Sequence, residues 1–287
     1  MGVFNSATMF LLIAAIALAI QQYSTFIYQQ GPPPADFGDG KMFDKIASRY
    51  DFINRVLALR MDVSWRKKMV QTVRDRVAAV EAPRLLDVAT GTADVAIRLA
   101  EIPSATILGV DPSNNMLDQG RRKIKEKHLD DRIVLEWADA RDLQRMDSDS
   151  FDGATISFGI RNVPEREVAL CEIHRVLKSD GVLAILEFSE PDDSFGFLGV
   201  LARLFIRHVV PVIGGILSGK PQEYAHLQNS IKDFPEPKEF KAMMENLSCG
   251  NAHSDEAKGS FAVDAIEQLN FGSVQLYTAR ARTTTFN

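Results

Sequence analysis

The chain has 287 residues, of which 46% are hydrophobic and 25% are charged, so it is long and apolar enough to bury one sizeable core. Its formal net charge of −5 argues against a nucleic-acid-binding protein, which normally carries a basic patch. Two cysteines are too few for a disulfide framework or a zinc site. We therefore expect Cys171 to be a small buried hydrophobic residue, and Cys249 carries no prediction.

The first 35 residues differ from the rest of the chain because none of them is charged. Residues 9–20 form a continuous apolar run, which is shorter than the roughly 20 residues that a membrane span needs. This run predicts either the hydrophobic region of a signal sequence or a tilted membrane anchor. The absence of arginine argues against a standard mitochondrial presequence. A Gly-Pro-Pro-Pro linker at 31–34 separates this leader from a globular domain at 36–287.

Helix and strand patterns alternate from residue 36 onwards, which is typical of an α/β domain. After a helical region at 41–80, the predicted strands are 84–89, 105–110, 133–137, 152–158 and 182–188, and the predicted helices are 93–101, 113–127 and 164–177. Such alternation implies right-handed crossovers and a parallel sheet with helices on both faces. Further along, the patterns predict a helix at 238–247, a loop at 248–260 and a last strand at 273–277.

The first strand runs into a tight turn and then a helix. Gly91 stands at the turn, where a residue without Cβ lets the backbone approach a ligand closely. The amide groups at the start of the following helix favour a carboxylate or a phosphate. Ala89 and Ala93 replace two glycines of the dinucleotide-binding motif, which argues against a nicotinamide oxidoreductase. The loop taken alone also fits an ordinary strand-to-helix turn.

Polar residues follow successive predicted strands at the sheet edge where open α/β folds bind their ligands. Asp111 ends the second strand, and its carboxylate can accept hydrogen bonds from both hydroxyls of a ribose. Asp139 and Ala140 follow the third strand, where a carboxylate can accept from an adenine amino group, and Ser157 ends the fourth. Each residue alone also fits a helix cap or a turn. Their coincidence on one edge favours a nucleoside site.

Three blocks of sequence resemble the class I S-adenosylmethionine methyltransferases and, within them, the ubiquinone/menaquinone quinol C-methyltransferase family. The blocks are residues 43–51 with Asn54 and Trp65, residues 87–94, and residues 156–164. The second block is generic for methyltransferases, whereas the first and third together are diagnostic of this family. The resemblance covers about residues 41–247 and implies a doubly wound, mostly parallel sheet of seven strands.

The resemblance implies that the chain binds S-adenosylmethionine without a metal and methylates a ring carbon of a prenylated quinol, either a benzoquinol or a naphthoquinol. The residues that match the family's cofactor contacts are Gly91, Thr92, Asp111, Asp139, Ala140 and Ser157. The segment with Tyr50 closes over the cofactor in the family, so Tyr50 is expected to cover the site. Its helical spacing also fits a simple amphipathic docking face.

Arg161 and Asn162 match the family's catalytic position. Methylation of an aromatic carbon needs an electron-rich ring, and a permanently charged guanidinium can hold the phenolate that deprotonation of a hydroxyl produces. Asn162 can orient a hydroxyl or a water. Alternatively, Arg161 pairs with a carboxylate such as Glu165 and stiffens the turn. The general base stays open among His208, Tyr50 and a water held by Asn162.

A prenylated substrate implies contact with a membrane surface. The apolar stretch 195–217 is the predicted channel for the prenyl tail, and its pattern fits a core helix or a dimer contact equally well. A quinone-biosynthesis complex and a homodimer are further expected partners. The expected location is an organelle membrane, the mitochondrial inner membrane first and a plastid membrane second.

Two features depart from the family pattern. Residues 248–270 resemble an insertion, and the family's final apolar strand has no counterpart near the end of the chain, so we expect the last strand to be truncated. This departure supports an alternative function, in which the chain is a non-catalytic scaffold that keeps the methyltransferase fold and organises a membrane-bound biosynthetic complex.

Overall fold

The computed structural model describes residues 18, 21, 22, 40–191, 195–218, 229–250 and 257–285. The predicted leader and proline linker lie outside the described residues, apart from positions 18, 21 and 22. Residues 219–228, which precede the helical turn at 229–232, also lie outside them.

One mixed sheet of seven strands organises the domain. The strands in chain order are β1 Arg84–Val88, β2 Thr106–Asp111, β3 Ile133–Trp137, β4 Phe151–Ser157, β5 Leu177–Phe188, β6 Ala257–Leu269 and β7 Val274–Thr285. They lie side by side in the order β3-β2-β1-β4-β5-β7-β6, with the first five parallel and β7 antiparallel to both of its neighbours. The predicted doubly wound, mostly parallel fold is confirmed, and its strand order reverses between β1 and β4.

Helices cover both faces of this sheet. They are α1 Lys41–Leu57, α2 Met61–Arg76, α3 Asp94–Leu99, α4 Asn114–Glu126, α5 Arg166–Val176, α6 Gly196–Leu204, α7 Val210–Ser218 and α8 Pro237–Glu245. The predicted helical region at 41–80 is two helices, because Leu59 and Arg60 adopt positive φ angles of 49° and 62° that interrupt the helical path. A π-helical turn, Phe205–Val209, joins α6 to α7.

The apolar strands bury both of their faces, as a parallel sheet requires. Leu85 belongs to one hydrophobic cluster together with Ile107, and its neighbour Leu86 belongs to another together with Ile156. Successive side chains of a strand point to opposite faces, so a continuous apolar run fills two cores at once. These two cores fix the sheet rigidly and thereby set the positions of the polar residues at its carboxyl edge.

The C-terminal region differs from the prediction. Residues 257–260, expected to be part of a loop, begin the long strand β6. The last strand is also not truncated: β7 pairs with β5 over its first half and with β6 over its whole length. Along β6 the buried residues alternate at Gly259, Phe261 and Val263 before a bulge shifts the register. The bulge breaks the period-two pattern, which is why the strand is hard to recognise in the sequence.

The two cysteines also differ from the prediction, since Cys171 on α5 forms a disulfide with Cys249. The backbone of Cys249 exchanges hydrogen bonds of 2.9 and 2.7 Å with Gly259 on β6. The disulfide therefore ties α5 to the segment that leads into β6. The disulfide joins residues 78 positions apart, and no local sequence pattern predicts a contact between residues so distant in the chain.

One helical segment, Gly196–Gly215, is long and apolar enough to cross a membrane by length and composition, among the residues that the structure describes. It comprises α6, the π-helical turn and most of α7. Only 18% of its apolar window is buried against the rest of the protein.

Replacing Cys171 with serine should lower the free energy of unfolding by about 2–4 kcal/mol, because the cross-link closes a long loop in the unfolded chain. Denaturant titrations with and without reductant measure this loss. The unreduced wild type should be the more stable form, and the Cys171→Ser variant should not respond to reductant. Equal midpoints for oxidised and reduced wild type would contradict the stabilising role.

Candidate active site

A partly open cavity of about 670 Å³ lies at the carboxyl ends of β1, β2 and β4, at the point where the strand order reverses. Six of the residues predicted for the site line it, namely Gly91, Asp111, Asp139, Ala140, Ser157 and Asn162. These residues come from four separate loops of the chain. The carboxyl ends of parallel strands lie at one edge of the sheet, so the topology brings these loops together.

The turn after β1 has an unusual backbone, because Ala89, Gly91 and Ala93 all have positive φ angles, of 52°, 55° and 65°. The two alanines occupy conformations that glycine normally takes, which costs free energy that the surrounding packing must offset. A Cβ atom on Gly91 would meet no other heavy atom within 4 Å, so the backbone there faces open space. Gly91 can therefore be approached closely by a ligand in the cavity.

Asp111 holds this turn in place. One carboxylate oxygen accepts a hydrogen bond of 2.9 Å from the Gly91 amide, and the other accepts one of 2.9 Å from the Ser113 amide at the start of α4. Burial raises the pKa of Asp111 to about 6, although these two hydrogen bonds oppose the shift. The carboxylate thus joins the turn after β1 to the end of β2 and still lines the cavity.

Asp87 is a second buried carboxylate beneath the turn, and the sequence reasoning did not single it out. It accepts hydrogen bonds of 2.6 Å from Thr90 and 2.7 Å from Thr155. Burial raises the pKa of Asp87 to about 6. An aspartate inside an otherwise apolar strand was the available signal, because such a residue is buried only when neighbours satisfy its oxygens.

Asp139 is oriented by Arg141. The guanidinium of Arg141 donates three hydrogen bonds of 2.7–3.2 Å to the two carboxylate oxygens, and its backbone amide donates a fourth of 2.9 Å. Burial tends to raise the pKa of Asp139, but the hydrogen bonds and charge of Arg141 outweigh it and lower the pKa below the usual value. Arg141 also pairs with Glu165, so Glu165 is not the partner of Arg161.

Ser157 and Asn162 present polar groups to the cavity from the end of β4 and from the turn that follows it. The Ser157 hydroxyl is buried and has no hydrogen-bond partner within the described parts of the chain. A buried hydroxyl without a partner loses free energy that a bound polar ligand can restore. Asn162 lies in the short 3₁₀ turn Ile160–Asn162 and is largely buried in the cavity wall.

Arg161 occupies a different place from its neighbour. Its side chain is 2% exposed and does not line the cavity. One guanidinium nitrogen donates to Glu187 at 2.5 Å and to the Phe158 carbonyl at 2.7 Å. Arg161 therefore lies behind the cavity wall, and its carboxylate partner is Glu187 instead of the Glu165 suggested by the sequence.

Three further predicted residues do not contribute described side chains to the cavity. The Thr92 hydroxyl donates to Asp51 at 2.7 Å and accepts from Lys123 at 2.8 Å, outside the cavity lining. The backbone of Tyr50 lies in α1, but its side chain is outside the described residues. His208 lies in the π-helical turn and is not among the cavity residues.

The start of α1 covers the cavity, since Gly40 and Phe43 line it. Two polar contacts hold this helix: the Asp44 carboxylate accepts from the Ser113 hydroxyl at 2.6 Å and from an α4 amide at 3.0 Å. Further along α1, Asp51 pairs with Lys123 of α4 at 2.5 Å. Helix α1 is thus fixed over the turn after β1.

A parallel sheet that ends in an antiparallel hairpin, with a nucleoside-sized cavity at the switch point, defines a class I methyltransferase. The chain belongs to the ubiE/COQ5 methyltransferase family, whose sequence model matches residues 38–266.

Two named relatives agree with this assignment. A protein of Geotalea uraniireducens named ubiquinone/menaquinone biosynthesis C-methyltransferase UbiE is 41% identical over 224 residues, which are 77% of this chain and 92% of that protein. A demethylmenaquinone methyltransferase of Thermus thermophilus is 42% identical over 71% of this chain and 89% of its own length. The fold of a putative S-adenosyl-L-methionine-dependent methyltransferase from Methanococcus maripaludis matches with a TM-score of 0.54 at 15% identity, over 82% of this chain and 91% of that one.

The chain is therefore an S-adenosylmethionine-dependent methyltransferase, and its cavity suits that cofactor. The Asp111 carboxylate is a hydrogen-bond acceptor, and the backbone at Gly91 is open to close approach. The Ser157 hydroxyl has no hydrogen-bond partner among the described residues and can bind a polar group of the ligand. The individual contacts of each residue with the cofactor remain predictions.

Cofactor affinity should depend on pH through Asp111. Its pKa of about 6 means that the carboxylate takes up a proton as the pH falls through 6 and then accepts hydrogen bonds poorly. We expect S-adenosylhomocysteine to bind several-fold more weakly at pH 5.5 than at pH 7.5 in isothermal titration calorimetry. Asp111→Asn should bind about tenfold more weakly at pH 7.5, because a charged hydrogen bond contributes about 1.5–3 kcal/mol, and should show a flatter pH profile.

The matched control for this experiment is Asp118→Asn, which removes an exposed carboxylate from α4. It should keep the affinity and the pH profile of the wild type. Asp87 also has a pKa near 6 and raises that of Asp111, so a residual pH dependence in Asp111→Asn is expected from Asp87. An unchanged affinity in Asp111→Asn would exclude the carboxylate from cofactor binding.

Proposed function

We propose that this enzyme transfers the methyl group of S-adenosylmethionine to a ring carbon of a prenylated quinol, of the benzoquinol or naphthoquinol type, in quinone biosynthesis. Two curated relatives that are 41% and 42% identical carry names for reactions of this kind. The observation that carries the proposal is that the cofactor cavity and an exposed apolar helix lie at the same edge of the sheet, because an amphipathic quinol needs both a polar and an apolar surface.

The residues of the cavity have separate roles in this reaction. The cofactor, when bound, would supply an electrophilic methyl group on a sulfonium and leave as S-adenosylhomocysteine, and the methylated ring carbon would lose its proton to water. Asp111 and Asp139 hold the polar parts of the nucleoside, and Ser157 donates to or accepts from the ligand beside the end of β4. Asn162 orients the ring hydroxyl whose deprotonation makes the adjacent carbon nucleophilic. Most of the rate enhancement then comes from positioning and electrostatics.

The apolar side of the proposed substrate faces α6. On this helix, Phe197 is 75% exposed, and Leu198, Val200, Leu201 and Leu204 are also exposed. The turn between β6 and β7 lies nearby, since Phe195 contacts the ring of Phe271 at a centroid distance of 6.3 Å. Phe271 itself is 45% exposed. We call this surface, formed by α6 and Phe271, the apolar face.

The apolar face lies at the same edge of the sheet as the cavity. Strand β7 begins at Val274, which pairs with Phe188, the last residue of β5. The turn that precedes β7 therefore stands at the carboxyl ends of the parallel strands. An exposed apolar surface at this edge supports the proposal that the enzyme docks on a membrane and takes its prenylated substrate from it.

We propose an organelle membrane as the location, the mitochondrial inner membrane first and a plastid membrane as the alternative. The support is the uncharged apolar leader in the sequence together with the apolar face. A quinone-biosynthesis complex or a homodimer, as further partners, is proposed from the family resemblance alone.

Methyl transfer by the purified chain tests the proposed reaction and excludes a non-catalytic scaffold. Demethylated benzoquinols and naphthoquinols with short prenyl tails are incubated under reducing conditions with methyl-labelled S-adenosylmethionine, and mass spectrometry locates the label. Methylation of a ring carbon in one of them supports the proposal and identifies the ring type. Binding of S-adenosylhomocysteine without turnover of either quinol would reject it.

In the same assay, Asn162→Ala should reduce kcat by about 10²-fold, since general acid–base and orienting groups contribute on the order of 10²–10⁴. Its affinity for S-adenosylhomocysteine should stay within about twofold of the wild type. Asn246→Ala, at the C-terminal end of α8, is the matched control and should turn over normally. Full activity in Asn162→Ala would remove it from the proposed mechanism.

Membrane docking is tested by vesicle flotation with the double variant Phe197→Glu/Leu201→Glu. Two charges on the apolar face should abolish binding to vesicles, because each must otherwise be dehydrated at the bilayer. Val168→Glu, which adds a charge at another exposed apolar residue on α5, should float with the vesicles as the wild type does. Equal flotation of all three proteins would show that the apolar face does not dock.

A further inference from the structure

Glu187 is a buried carboxylate that does not line the cavity and to which the sequence motifs assign no role. It is the penultimate residue of β5, and its side chain is 0% exposed. A charge in that position is costly unless other groups compensate it. Its surroundings therefore show what the carboxylate does.

Two of the three hydrogen bonds of Glu187 lead to the turn that follows β4. One oxygen accepts from the Arg161 guanidinium at 2.5 Å and from the Phe188 amide at 2.8 Å, and the other accepts from the Arg161 backbone amide at 3.2 Å. Glu187 thus holds Arg161 by both its main chain and its side chain. The guanidinium also lies over the ring of Phe188, 5.3 Å from its centroid.

Arg161 transmits this constraint to the cavity wall. Its guanidinium donates to the carbonyl of Phe158, which has a positive φ of 58°. A phenylalanine in this conformation is strained and needs fixed neighbours to keep it there. Phe158 and Asn162, on either side of the anchored residue, both line the cavity.

Other polar groups near this ion pair are also buried. Within the described residues, Arg161 Nε, Gln275 Oε1 and Tyr277 Oη have no hydrogen-bond partner. Gln275 stands opposite Glu187 in the β5–β7 ladder, and burial followed by the charge of Glu187 raises the pKa of Tyr277 above its usual value. A polar interior is thus present beneath the cavity, at the place where an apolar core would be more stable.

We propose that Glu187 is a positioning residue for the methyl transfer, which through Arg161 fixes the turn that presents Asn162 to the substrate. This inference rests on the proposed function, because it assigns a role within the same reaction. It explains why an ion pair is buried behind the cavity wall: two opposite charges hold the turn in one geometry that apolar packing alone would leave less defined.

The test replaces Glu187 with glutamine, which has nearly the same shape but no charge. We expect kcat to fall by about 10–100-fold, while the KM for S-adenosylmethionine and the affinity for S-adenosylhomocysteine change by less than about twofold. Glu187→Asp keeps the charge and should retain more of the activity than Glu187→Gln. Glu245→Gln on α8 is the matched control and should be fully active.

A double-mutant cycle separates positioning through Arg161 from a general structural role. If Glu187 acts through Arg161, the variant Arg161→Ala/Glu187→Gln should have the same kcat as Arg161→Ala alone. Multiplicative losses, or a kcat of Glu187→Gln within twofold of the wild type, would overturn the proposal. If Glu187→Gln does not fold, Glu187→Asp and Arg161→Lys provide the same comparison, and unchanged kcat in both would also overturn it.

The outcomes separate this inference from the proposed function. A wild-type protein that methylates no quinol rejects the proposed function, whatever the variants do. An active wild type with an equally active Glu187→Gln variant rejects only the role of Glu187.

Discussion

The carboxylate of Asp111 is the interaction on which the cofactor site depends. It stands at the end of β2, beside the place where the strand order of the sheet reverses, and its two oxygens bind the amides of Gly91 and Ser113. The turn after β1 and the start of α4 are thereby locked to one another. Because this turn contains two alanines with positive φ angles, it would relax without such anchors. A strained, fixed turn is what allows a ligand to lie directly on the backbone.

Two surfaces of opposite chemistry lie at this edge of the sheet. On the cofactor side, buried carboxylates at Asp87 and Asp111 hold a polar loop against a tightly packed sheet. On the other side, α6 exposes large apolar residues next to the hairpin of β6 and β7. The proposed reaction of a water-soluble methyl donor with a prenylated quinol needs both surfaces at one edge of the sheet. The pair of Glu187 and Arg161 is buried behind the turn that carries Phe158 and Asn162.

The outer strands of the sheet serve this arrangement. The antiparallel strand β7 places its preceding turn at the same edge as the parallel strands, which brings Phe271 near α6. Strand β6 then covers β7, and the disulfide between Cys171 and Cys249 joins the segment before β6 to helix α5. Residues 257–269, which looked like part of an insertion, are therefore an integral part of the sheet, and their pairing supports the turn that carries Phe271.

Local patterns in the sequence were enough to determine the parallel half of the fold and the edge where the site lies. Strand and helix periodicities are short-range properties, and topology alone then brings residues such as Asp111, Asp139 and Ser157 to one edge. Only the tertiary structure determines the side-chain partners: Arg161 pairs with Glu187, Asp139 with Arg141 and Cys171 with Cys249. It also decided that residues 257–269 pair as a strand, because a bulged strand is stabilised by its neighbours and not by its own pattern. Contacts between residues far apart in the chain depend on packing geometry, which no local stretch of sequence encodes.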